Sequence, residues 1–135
     1  MRLQQPVLGD WSCVSHSVLI VDDNALLRNL LRTCIEKDPG WKVCGEAENG
    51  KDGITKVEQL KPDVVILDLQ MPVMNGLEAA RQIHSLAPQI TMLMFTIHNS
   101  PQLVKEAHEA GIKEVISKTE RLTERLLPAL NEASA

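Results

Sequence analysis

The stretch SVLIVDDNALLRNLLRTCI, residues 17–35, changes its apolar period once, and that change decides the fold. Val18-Leu19-Ile20-Val21 is continuously apolar, as a strand covered by helices on both faces reads. Beyond Asn24 the period becomes helical. Leu27, Leu30, Leu31, Cys34 and Ile35 follow the i, i+3, i+4, i+7, i+8 spacing of one buried face. Asn24 is the predicted N-cap, and Asp38-Pro39-Gly40 stops the helix.

The same unit recurs about every 24 residues. Further strands are expected at Lys42-Val43-Cys44, Val64–Leu67, Thr91–Phe95 and Val115-Ile116. Ile54, Val57 and Leu60 mark the second helix, capped at Asn49 and ended before Pro62. Leu77, Ala80, Ile83 and Ala87 mark the third, ended before Pro88. The fourth opens with Ser100-Pro101 and closes at Gly111. The fifth carries Leu122, Leu126 and Leu130, with Pro128 inside it, a residue expected to kink or shorten it. Alternating units of this kind imply an α/β fold, a doubly wound, flavodoxin-like sheet of five parallel strands in the order 2-1-3-4-5 with five helices. Residues 1–16 read as a loose tail, 17–133 as the domain and 134–135 as its end.

With 135 residues the chain can bury one core. Its formal net charge of -4 and scattered Lys and Arg argue against direct binding of nucleic acid. No apolar run reaches the roughly 20 residues of a membrane span, and the start lacks the pattern of a secretory signal, so a cytoplasmic location is expected. Cys13, Cys34 and Cys44 form no CxxC pair; Cys34 and Cys44 read as buried thiols.

In open α/β sheets ligands bind beyond the carboxyl ends of the strands. Asp22 and Asp23 follow strand one, Asp68 strand three and Thr96 strand four, while Lys118 lies near the end of strand five. Singly, each has a plainer reading: an acid pair favouring a helix N-terminus, a turn former, a strand-end threonine, a surface lysine. Together they place three carboxylates on one rim, where they repel one another unless a cation neutralises them. All-oxygen ligands with room for water suit Mg²⁺. Thr96 adds a hydroxyl and Lys118 a mobile positive charge, both suited to phosphoryl oxygens.

Leu19–Asp23, the run Val65-Ile66-Leu67-Asp68-Leu69-Gln70-Met71-Pro72-Val73-Met74-Asn75-Gly76, Thr96 and Ile116-Ser117-Lys118 resemble, in order and spacing, the receiver domains of bacterial response regulators. The resemblance covers about residues 17–133 and implies a two-component signalling module rather than an enzyme. It implies Asp68 as phosphoacceptor and Asp23 as direct Mg²⁺ ligand. Asp22 would act largely through water, and the Gln70 carbonyl would complete the set. Thr96 corresponds to the switch hydroxyl and Lys118 to the residue that pairs with the phosphoryl group. Pro72 and Gly76 shape the loop after Asp68. The implied partners are a sensor histidine kinase or phosphotransfer protein, and a second copy through the helix 4–strand 5–helix 5 face. The similarity extends to receivers attached to DNA-binding helix-turn-helix effectors, an output in transcription control if the chain is an excised domain.

Departures from the family pattern are Val115 in place of the usual aromatic switch residue, Thr119 in place of a proline after Lys118, and the bulky Ile97 beside the site. His98 reads as a loop histidine near the site. A haloacid-dehalogenase-type phosphatase would need a second acid two residues after its nucleophile, where this chain has Gln70.

Overall fold

The computed structural model describes residues 16–97, 99–118 and 122–133. Residues 1–15 of the expected tail, with Cys13, lie outside the described residues, as do His98, Thr119 and 134–135.

The chain alternates β1 (His16–Val21), α1 (Ala25–Ile35), β2 (Trp41–Ala47), α2 (Gly50–Leu60), β3 (Val64–Asp68), α3 (Gly76–Leu86), β4 (Thr91–Thr96), α4 (Pro101–Glu109), β5 (Ile112–Ser117) and α5 (Leu122–Ala133). The strands pair in parallel in the order β2-β1-β3-β4-β5, as expected from the alternation. β2 and β5 are longer than their apolar runs because edge strands extend through polar residues such as Lys42 and Glu46, or Lys113 and Glu114. Cys44 is bulged, for Val18 pairs with Val43 but Leu19 with Gly45.

Strand alternation divides the core in two. Leu19, Val21, Val65, Leu67, Met92 and Met94 face α2, α3 and α4. Val18, Ile20, Val64, Ile66, Leu93 and Phe95 face α1 and α5. β1, β3 and β4 are thus apolar on both faces, which explains the absence of alternation in their sequences.

Four helices begin with a side chain that accepts the N–H three residues on: Asn24 from Leu27, Asn49 from Asp52, Asn75 from Glu78 and Ser100 from Leu103. Each cap stabilises its helix by about 1 kcal/mol.

The structure corrects several expectations. Leu30 is 50% exposed, because α1 centres its buried arc between Leu31 and Ile35. At 3.6 residues per turn, Leu30 lies roughly 120° away from that centre. Pro128 does not shorten α5, which runs on to Ala133. Both Pro128 and Glu124, whose carbonyl loses its helical donor, are exposed, so water can replace the missing bond. Leu60, 41% exposed, packs over Gly45 on edge strand β2, where a Cβ would stand 2.7 Å from its Cδ1. Cys34 and Cys44 are half-buried rather than buried. Among the described residues no helix is long and apolar enough to cross a membrane.

Candidate functional site

β1 and β3 are neighbours, and the connections leave them toward opposite faces of the sheet. The crevice at their carboxyl ends is therefore a topological switch point. There the structure brings together Asp22, Asp23 and Asp68, each with a carboxylate oxygen within 4.8 Å of the others'. Asp22 and Asp68 are buried and Asp23 is exposed.

Lys118, just past β5, joins the acids. Its Nζ lies 3.0 Å from Asp22 Oδ2 and 2.9 Å from Asp68 Oδ1. Its N–H donates to the Thr96 carbonyl at 2.8 Å, which fixes where the chain leaves the sheet. Thr96 ends β4 and is buried in the same row. Lys118 thus bridges Asp22 and Asp68, a contact that its position near the end of β5 does not by itself announce.

The electrostatics show what this cluster lacks. Burial pushes the Asp68 carboxyl above its ordinary range. The charges of Asp22 and Asp23 add to that, while the Lys118 hydrogen bond opposes it. For Lys118 burial works downward, but hydrogen bonds to Asp68 and Asp22 prevail and hold the ammonium above its usual value. One ammonium among three acids has more partners than it needs; the acids have too little positive charge. Three convergent carboxylates, one of them open to solvent, fit a hard divalent cation that keeps some of its water, as Mg²⁺ does.

The loop after Asp68 is held tightly. Gly76 N–H donates to the Leu69 carbonyl at 2.8 Å. Met74 N–H donates to the Pro72 carbonyl at 2.7 Å across Val73, whose φ is +71°. That is a γ-turn of the strained hand, on a β-branched residue. Gln70, two residues after Asp68, is exposed, and Val73 is 76% exposed. Val115 is half-buried and packs against the α2–α4 side of the core.

Two site-flanking residues were not singled out from sequence. Arg28 donates to the Asp22 carbonyl and to Glu46, and Glu46 also accepts from Arg32. The available signal was an arginine between Leu27 and Leu31, next to the buried arc of α1.

A family model for the response regulator receiver domain matches residues 18–130. Chemotaxis protein CheY of Thermotoga maritima is 39% identical over 117 residues, covering 87% of this chain and 96% of that protein. The crystal structure of the response regulator domain of Thermotoga maritima CheB matches with a TM-score of 0.83 at 30% identity, covering 88% of this chain and 96% of that one. A chain of the CheX-CheY-BeF3-Mg+2 complex from Borrelia burgdorferi matches with a TM-score of 0.83 at 26% identity, covering 90% and 91%.

Proposed function

The chain belongs to the response regulator receiver domain family, and from that premise we propose that Asp68 takes a phosphoryl group from a sensor histidine kinase or phosphotransfer protein and thereby switches a protein-interaction surface. The observation that carries this reading is Lys118 bridging Asp68 and Asp22 at the sheet's switch point.

Asp22, Asp23 and Asp68, with the Gln70 carbonyl, are the residues that would hold Mg²⁺. Bound there, the ion supplies positive charge for the phosphoryl oxygens. The complex named above, one chain of which is similar to this one, contains magnesium and beryllofluoride.

The chain's own groups do the rest. One Asp68 oxygen forms the new bond to phosphorus while the phosphorus–nitrogen bond of the donor's phosphohistidine breaks, its electron pair leaving on the imidazole. Lys118, 2.9 Å from Asp68 Oδ1, would pair with a phosphoryl oxygen. Positioning and electrostatic stabilisation thus account for the protein's part. The Thr96 hydroxyl turns toward the new phosphoryl group, and the shift biases the face of α4, β5 and α5, where a second copy or an effector docks. A DNA-binding effector joined to the chain would turn that switch into transcription control.

Incubation with acetyl phosphate and Mg²⁺ tests the reading directly. Intact mass should rise by one phosphate, and Asp68→Asn should remove the increment. Full labelling of Asp68→Asn would refute Asp68 as acceptor. Asp23→Ala should weaken Mg²⁺ binding more than Asp22→Ala, since a direct ligand outweighs one acting through water.

A further inference from the structure

Arg28 stands where helix physics alone does not favour a cation. It is the fourth residue of α1, at the end of the first turn, near the positive end of the helix dipole. Its side chain is only 16% exposed. Nε donates to Glu46 Oε1 at 2.9 Å, and Nη1 donates to the backbone carbonyl of Asp22 at 2.6 Å.

The carbonyl so held belongs to the peptide that joins Asp22 to Asp23. On the same residue Oδ1 accepts the Asn24 N–H at 2.8 Å and Oδ2 meets Lys118 at 3.0 Å. Asp22 is therefore fixed at its main chain by Arg28 and at both carboxylate oxygens by other groups. The Asp23 side chain, by contrast, is exposed. Its direction is set by the peptide before it, and that peptide is the one Arg28 grips.

We infer that Arg28 is a positioning residue of the cation site. By fixing the Asp22–Asp23 peptide it sets how the two adjacent carboxylates converge with Asp68, and hence the affinity for a divalent cation. The inference rests on the reading of Asp22, Asp23 and Asp68 as cation ligands. A staple between α1 and β2 is the plainer alternative, since Glu46 lies on β2.

The sign of the effect separates positioning from simple charge. Removing a positive charge beside an acidic site should tighten cation binding by Coulomb's law. Loss of a group that orients the ligands should weaken it, by roughly tenfold for an outer-shell contact. Mg²⁺ is titrated by calorimetry into the unphosphorylated protein, Arg28→Met and Glu46→Gln, with thermal melts of each.

Arg28→Met should bind Mg²⁺ roughly tenfold more weakly. Glu46→Gln keeps an oxygen for Arg28, so it should melt lower yet bind Mg²⁺ within about twofold of the parent. Tighter or unchanged binding by Arg28→Met overturns the inference, as does an equal loss in Glu46→Gln. Should Arg28→Met fail to fold, Arg28→Lys replaces it. A lysine lacks the planar fork, pairs with the Glu46 carboxylate and releases the carbonyl, so the same weakening is expected and unchanged affinity overturns the idea. Absence of Mg²⁺ binding in the parent overturns the cation-site reading, and this inference with it.

Discussion

A side chain on Gly76 would begin inside the backbone of Asp68: a Cβ built there stands 2.2 Å from the Asp68 carbonyl oxygen and 3.1 Å from the Leu69 Cα. The first turn of α3 can approach the end of β3 only because residue 76 lacks that carbon. The approach lets Gly76 N–H reach the Leu69 carbonyl and closes the loop 69–75 that follows Asp68. Gly76→Ala must push this backbone apart, at about 1–3 kcal/mol, the usual cost of overpacking. Urea unfolding should show the loss, and uptake of phosphate from acetyl phosphate should slow with it, because the displaced segment includes Gln70. Slower uptake with unchanged stability would show that the contact is not the constraint described.

Asp68 makes the site costly to the fold. Its carboxyl is held above the ordinary range chiefly by burial, so the folded protein binds that proton more tightly than the unfolded chain does. The resulting stability is present at low pH and is lost as pH rises through the folded value. The ionised form of Asp68 is therefore the one that destabilises the fold. Asp68→Asn should melt at a higher temperature than the parent at pH 7 without divalent ions. The difference should shrink below the carboxylate range, and also when Mg²⁺ is added to the parent. A lower melting temperature for Asp68→Asn at pH 7 would contradict this sign.

Glu46 shows the opposite sign. Burial works to raise its carboxyl, but the hydrogen bonds and charges of Arg32 and Arg28 overcome it and hold the group below the usual range. The stability so gained is complete above the unfolded carboxylate value and is lost as pH falls through the folded one. Glu46→Gln should cost roughly 1–2 kcal/mol at neutral pH, measured by urea unfolding, and the penalty should fade in acid.

Leu26 is 83% exposed at the start of α1, close behind the acid pair. An apolar side chain so placed is suited to contact the protein that delivers the phosphoryl group. Leu26→Lys should slow transfer from a phosphorylated kinase partner by about tenfold, the loss of one well-buried contact, while labelling by acetyl phosphate stays unchanged. Equal slowing of both reactions would assign Leu26 to the fold.

The sheet and its order were legible because five apolar runs alternate with helical periods. The strand ends were legible because a parallel sheet puts its chemistry there. What could not be read was tertiary. Leu30 fits the apolar spacing of α1, yet the helix rolls toward Leu31 and Ile35 against α5, and only the partner element decides that roll. Glu46 lies on an edge strand between Gly45 and Ala47, and nothing in its spacing announces that it meets two arginines of α1. The Lys118 bridge arises between residues 96 positions apart. Pro128 obeys its local rule but is tolerated because its turn faces water.

Val115 constrains how the proposed switch would work. It sits on edge strand β5, paired with Met94, two residues before the register position that Thr96 shares with Ser117. In the family, inward movement of the strand-four hydroxyl leaves space that an aromatic residue at this place fills. Valine is short and β-branched, so its χ1 is stiff and it sweeps little volume. Here it is half-buried and packs against the core on the α2–α4 side. Thr96 itself is buried, so any turn of its hydroxyl toward Asp68 must be accommodated by the backbone that follows. Ile97, 64% exposed, opens that segment, and Ser100 ends it by capping α4. Coupling from site to surface should therefore run through the backbone of residues 96–99, with a smaller displacement of α4 than an aromatic switch produces. A structure with beryllofluoride and Mg²⁺ should show the Thr96 hydroxyl turned toward Asp68 and Val115 in an unchanged rotamer. Val115→Tyr should enlarge the shift of α4 measured by amide chemical-shift change on beryllofluoride binding. A rotamer change at Val115 together with a large displacement of α4 would refute this route.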